Sequence, residues 1–73
     1  MFVEGRVKWF NNERGYGFIE CAQYAEDIMA HYSEIKTPGF RKLKQGQLVT
    51  FEVHQDKNGL RAKSISPVPK PTL

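Results

Sequence analysis

Val7-Lys8-Trp9-Phe10-Asn11-Asn12-Glu13-Arg14-Gly15-Tyr16-Gly17-Phe18-Ile19 is the stretch whose reading decides the fold. It reads as a strand, a tight turn and a second strand. The asparagines and glycine of Asn11-Asn12-Glu13-Arg14-Gly15 suit a short hairpin connection, and alternation resumes at Tyr16. Four of the nine aromatic residues lie here, including the only tryptophan. Trp9, Phe10, Tyr16 and Phe18 are too many large rings for one corner of so small a core. Lys8 and Arg14 are interleaved with them.

Outward from this hairpin, glycine, proline and β-formers dominate, and no segment sustains a helical period. Strands are predicted near residues 2–11, 16–21, 28–32, 47–54 and 60–66. The link Ala22–Asp27 has room for a helical turn. The long connection from Ser33 to Gly46 carries the turn signal Pro38-Gly39. Asp56-Lys57-Asn58-Gly59 closes the last hairpin, with Asn-Gly as the favoured pair for a two-residue loop. With 73 residues there is room for one domain, and five short antiparallel strands are too few for two good sheets. A small barrel is the economical solution, because closure removes exposed edges. Its interior is expected to take Val7, Ile19, Ile28, Ala30, Val49, Phe51, Val53 and Ile65, with Ile35 and Leu43 plugging an end. The domain is expected to span residues 1–67, followed by a proline-rich flexible tail, 68–73. From Pro67 onward the prolines exclude pairing in a sheet interior.

Strand alternation puts Tyr16 and Phe18 on one face and Gly15, Gly17 and Ile19 on the other. The aliphatic residue and the glycines belong inside, where glycine lets a barrel wall bend, so the rings face out. The third strand repeats the pattern, with Ile28 and Ala30 inward and Met29 and His31 outward beside the rings. Two parities conflict. Val7 and Trp9 share a face in a regular strand, yet one belongs inside and the other outside, so a bulge is expected between them. Tyr32 follows Ile28 and Ala30, and is expected past the regular end of its strand. Glu20 falls on the Tyr16/Phe18 face, where it repels phosphate.

The net charge of +3 is unevenly spread. Residues 1–35 carry three basic against six acidic side chains, and residues 36–73 carry eight against two. The basic half suits a polyanionic partner. Outward rings interleaved with cations are what stacking bases and neutralising phosphates require. A lone cysteine, Cys21, excludes an internal disulfide, and isolated His31 and His54 give no metal-ligand spacing, so neither metal nor cofactor is expected. No long apolar run is available to span a membrane, and the N-terminal residues lack a signal-peptide layout, so the expected location is cytoplasmic. Asp27, His31 and Ser33 are close enough in sequence to share a face. No nucleophile elbow or oxyanion-hole glycine run accompanies them, and no catalytic residue is assigned.

These residues together resemble the bacterial cold-shock proteins. Gly5-Arg6-Val7-Lys8-Trp9-Phe10-Asn11 is similar to that family's opening strand. Arg14-Gly15-Tyr16-Gly17-Phe18-Ile19 is similar to its first ribonucleoprotein motif, and Ile28-Met29-Ala30-His31-Tyr32-Ser33 to its second. Gly39-Phe40-Arg41-Lys42-Leu43, Glu52-Val53 and Gly59-Leu60-Arg61-Ala62 continue the pattern to about Pro67. The resemblance implies an all-β fold, a five-stranded antiparallel barrel of the oligonucleotide/oligosaccharide-binding (OB) type. It implies a binding face of Lys8, Trp9, Tyr16, Phe18, His31, Tyr32 and Phe40, with Phe10 partly buried at its edge. Asn11, Arg14, Asp27 and Arg61 are flanking candidates for base-edge or backbone contacts. Lys8, Arg14, Arg41, Lys42, Lys44, Arg61 and Lys63 are candidates for an electrostatic rim.

The function so implied is binding of single-stranded RNA and DNA, in the manner of an RNA chaperone that melts weak secondary structure and modulates transcription or translation. Met29 stands where the family usually has phenylalanine, and Pro38 and Leu60 also depart from the usual residues. Ala30 and Tyr32 resemble a branch described as dimeric and directed at single-stranded DNA, so an inhibitor of replication is the alternative, and monomer and homodimer both stay open. A peptide-gripping module also accounts for the rings, but it leaves the interleaved cations unexplained.

Overall fold

The computed structural model describes residues 2–36 and 43–68. Its strands are β1 (Phe2–Asn11), β2 (Tyr16–Glu20), β3 (Ile28–His31), β4 (Leu48–Asp56) and β5 (Gly59–Pro67), with a 3₁₀ turn at Tyr32–Glu34 after β3. They close into a barrel in the order β1-β2-β3-β5-β4, with β4 returning to β1. Pairing is antiparallel everywhere except between β3 and β5. That exception follows from counting. Direction cannot alternate all the way round a ring with an odd number of strands, so one seam must be parallel. The parallel seam is short, with the register pair Met29↔Arg61 and a bridge from Ile35 to Ile65. The Lys36 amide donates to the Ile65 carbonyl at 2.7 Å beside it.

The parity conflict in β1 is resolved by a bulge. Val7 pairs with Ile19 and Trp9 with Phe18, so Lys8 is the extra residue. Val7 then faces the core while Trp9 is 40% exposed. Gly17 opposite makes the bulge possible, because a Cβ there would collide with the Trp9 carbonyl and the Phe10 backbone. A second irregularity lies between the Thr50↔Ser66 and Glu52↔Lys63 pairs. Ser64 takes φ +54° in it, the single non-glycine residue with positive φ among those described. Its amide donates to Glu34 Oε1 at 3.3 Å.

Val7, Ile19, Ile28, Ala30, Val49, Phe51 and Ile65 fill the interior, with Ile35 and Leu43 also buried. Val53 was expected among them but is only partly buried, packed against the cluster. Cys21 and Ala62 join the core instead. Cys21 lies just past the end of β2, where its thiol donates to the Glu4 carbonyl at 3.4 Å. Tyr32 lies in the 3₁₀ turn, past the regular end of β3 as expected, and its ring covers Gly15 at 2.6 Å from the position of a Cβ.

One turn reading is corrected. The last hairpin turns on Lys57 and Asn58, with Asp56 and Gly59 paired across it, rather than on Asn58-Gly59. Asp56 Oδ1 accepts from the Asn58 amide at 2.8 Å, and Gly59 takes the reversal at φ +121°. An Asp side chain that caps its own turn fixes the loop one residue earlier than the dipeptide preference implies. At the other end of β5, Pro67 pairs with Val49 and the Val68 amide donates to the Leu48 carbonyl at 2.9 Å. Pro67 is tolerated because it ends its strand. The Pro38-Gly39 turn and the tail from Pro69 onward lie outside the described residues.

Candidate nucleic-acid interface

The outer surface of β1, β2, β3 and β5 carries two rows of side chains set by the barrel's register. One row runs Trp9↔Phe18↔Met29↔Arg61, the other Asn11↔Tyr16↔His31. Trp9 stands at the corner, 5.7 Å from Tyr16 with the rings at 72° and 5.4 Å from Phe18 at 56°. These edge-to-face and tilted arrangements hold the rings against one another without a sandwich, which would leave no ring face for a ligand. His31 and Tyr32 form a second pair, 4.6 Å apart at 39°. Phe10 is half-buried and packs against the core, at the edge of this surface.

Local chemistry fixes the flanks. Asn11 Oδ1 accepts from the amides of Glu13 and Arg14 at 3.0 and 2.9 Å, and the Gly15 amide donates to the Asn11 carbonyl at 2.8 Å. The Asn11 oxygen therefore serves the turn, an Asx device, and only its NH₂ is left for a ligand. Gly15 completes the turn at φ +79°. Arg14 projects from it, exposed. His31 Nδ1 accepts from the Ser33 amide at 3.3 Å and lies 2.8 Å from the Ser33 hydroxyl, which leaves Nε2 as the donating ring nitrogen. Asp27 is not part of that pair. Its carboxylate lies 3.0 Å from Lys8 Nζ, so Asp27, His31 and Ser33 do not assemble into a relay.

Among the expected site residues, the register brings Trp9, Tyr16, Phe18, Met29, His31 and Arg61 onto one surface, with Lys8 and Tyr32 at its borders. Lys63 is placed elsewhere. It pairs with Glu52, which in turn pairs with Phe2, and so sits on the outer wall of β4 and β5. Phe40, Arg41 and Lys42 lie outside the described residues. Barrel closure also creates a feature that single strands do not reveal. A hollow of about 220 Å³ lies beside Phe18 and Met29, bounded by Asp27, Asp56, Leu60 and Arg61. Arg61 Nη1 is 3.5 Å from Asp56 Oδ2 at its rim. Asp56 was legible only as a turn residue, because its approach to β3 depends on the parallel seam.

Comparison with known proteins identifies the family and the fold. The family described as 'Cold-shock' DNA-binding domain matches residues 3–68. The chain is 54% identical over 65 residues to the cold shock-like protein CspD of Escherichia coli strain K12, covering 89% of this chain and 88% of that one. It is 48% identical over 65 residues to the major cold shock protein CspA of Bacillus cereus, covering 89% and 96%. A solved structure described as drosophila Unr CSD456 superposes with a TM-score of 0.81 at 20% identity, over 100% of this chain and 29% of that one, a likeness of fold. With the barrel, the ordered motifs and the outward rings in one chain, this protein belongs to the nucleic-acid-binding cold-shock domain family.

Proposed function

We propose that the protein binds single-stranded RNA and DNA and acts as an RNA chaperone by holding strands open. The observation that carries this reading is the outward row of exposed Trp9 and half-buried Phe18 and Met29, bordered by Lys8 and Arg61. Unpaired bases can lay their faces on such rings, whereas a duplex keeps them stacked on one another. A ligand that binds only open strands shifts the pairing equilibrium toward them by mass action. The rim supplies few cations, so the dependence of log K on log salt is expected to be shallow, about −1.5 to −3 for about two to four neutralised phosphates. This work is binding without catalysis, consistent with Asp27 being committed to Lys8. It belongs in the cytoplasm, where transcripts are.

Trp9 lies within the surface and is its own reporter. A short pyrimidine-rich single strand is expected to quench its fluorescence, and the matched duplex to leave it unchanged. An equal response to both overturns the single-strand reading.

A further inference from the structure

We propose that Asp27 and Asp56 are built-in competitors of nucleic-acid phosphate, holding Lys8 and Arg61 and so limiting the affinity of the ring surface. The inference rests on the single-strand reading above. Both cations that border the Trp9–Phe18–Met29 row are already ion-paired. Lys8, the extra residue of the β1 bulge beside Trp9, lies 3.0 Å from Asp27, and Arg61, opposite Met29, lies 3.5 Å from Asp56. Each pair is half in solvent, with side-chain exposures of 49% and 41% for the first and 43% and 38% for the second.

That exposure decides what the pairs can do. A solvent-exposed ion pair shifts an equilibrium by a factor of about 1.4 to 5, too little to serve as a main support of the fold. It is enough to set an affinity. An arriving phosphate must displace the carboxylate from its cation and then lie near the carboxylate it displaced. Asp27 and Asp56 both line the hollow beside Phe18 and Met29, with the Glu26 side chain also at its wall, so their charges act on the same small volume. An uncharged base can enter that hollow without the repulsion a phosphate meets there. The two carboxylates thus weaken phosphate contacts selectively and leave stacking untouched, and the surface recognises open bases more than backbone charge.

Replacing either aspartate by asparagine removes the charge at nearly constant shape. Asp56→Asn keeps an Oδ1 acceptor for the Asn58 amide, so the β4–β5 turn is preserved. The experiment titrates the full chain and its variants with oligodeoxythymidylate and oligouridylate across a range of salt concentrations, read by Trp9 fluorescence. Asp27→Asn and Asp56→Asn are each expected to bind about two- to fivefold more tightly at low salt. Each is expected to steepen the slope of log K on log salt by up to about 0.7, because a cation no longer neutralised internally releases a counterion from the strand. In a Lys8→Gln background Asp27→Asn is expected to lose most of its gain, and in an Arg61→Gln background so is Asp56→Asn. A purely structural aspartate does not move the salt slope. Binding that stays equal or weakens in both variants, with an unchanged slope, overturns the inference while wild-type binding keeps the functional reading. If Asp27→Asn fails to fold, the Asp56 and Arg61 variants decide it alone. Absence of binding by the wild type overturns the functional reading itself.

Discussion

Phe51 and Phe18 are the same side chain used in two opposite ways. Phe51, on β4, is fully buried and is the largest residue sealed in the interior. Phe18, on β2, stands on the outside, 5.4 Å from Trp9. The difference teaches where this small chain spends its rings. Aliphatic residues from all five strands, with Phe51, are sufficient to fill the barrel. Trp9 on β1 and Tyr16 and Phe18 on β2 are surplus to that filling and define a surface. Inside and outside can therefore be separated by substitution. Phe51→Ala carries the largest expected effect, a loss of about 3–5 kcal/mol of stability. That is a large share of the roughly 5–15 kcal/mol available to a typical domain. Denaturant unfolding measures it, and a loss no greater than that of Phe18→Ala breaks the division.

Phe18→Ala tests the other side. A base stacked on an aromatic side chain contributes about 1–3 kcal/mol, so affinity for a single strand should fall by about five- to more than a hundredfold. Stability should change far less than for Phe51→Ala, since Phe18 lies outside the sealed cluster. Because Trp9 loses a neighbour in this variant, calorimetry is the cleaner readout for binding. A drop in stability matching that of Phe51→Ala places Phe18 in the core and removes the surface.

The comparison also marks which parts of the molecule were legible in the sequence. The inside of the barrel was readable because strand alternation has a period of two, and Ile28/Ala30 and Val49/Phe51 keep it faithfully. The bulge at Lys8 was readable for the same reason, as a conflict of parity between Val7 and Trp9. What escaped depends on contacts distant in the chain. Nothing in the local sequence of Asp56 or Arg61 says that the β4–β5 turn will meet β3, yet the Met29↔Arg61 seam brings them together. Ser64 gives no sign of its positive φ, and the regular register running back from the β4–β5 turn places Lys63 against Glu52 instead of among the rings. Asn11 reads as a contact residue until its oxygen is seen engaged in the turn.

Met29 gives the smallest and finest test, because it lies at the surface's least aromatic point. It pairs with Phe18 on one side and Arg61 on the other, so its side chain continues the row that begins at Trp9. A thioether packs against a base but offers no flat ring to stack on. Met29→Phe is expected to extend the ring row by one member and to tighten single-strand binding by up to about fivefold, less than a full stacking contribution because a thioether contact is already present. The neighbouring Arg61 guanidinium gains a ring face to lie on, a contact of about 0.5–1 kcal/mol at an exposed site, so a small rise in stability should accompany it. The gain should survive high salt, since stacking neutralises no phosphate, whereas gains from the aspartate variants should fade. Measured side by side, the two kinds of variant separate ring area from charge as the limit on affinity. An unchanged or weaker affinity for Met29→Phe shows that the bases do not reach β3, and confines the working surface to Trp9, Tyr16 and Phe18.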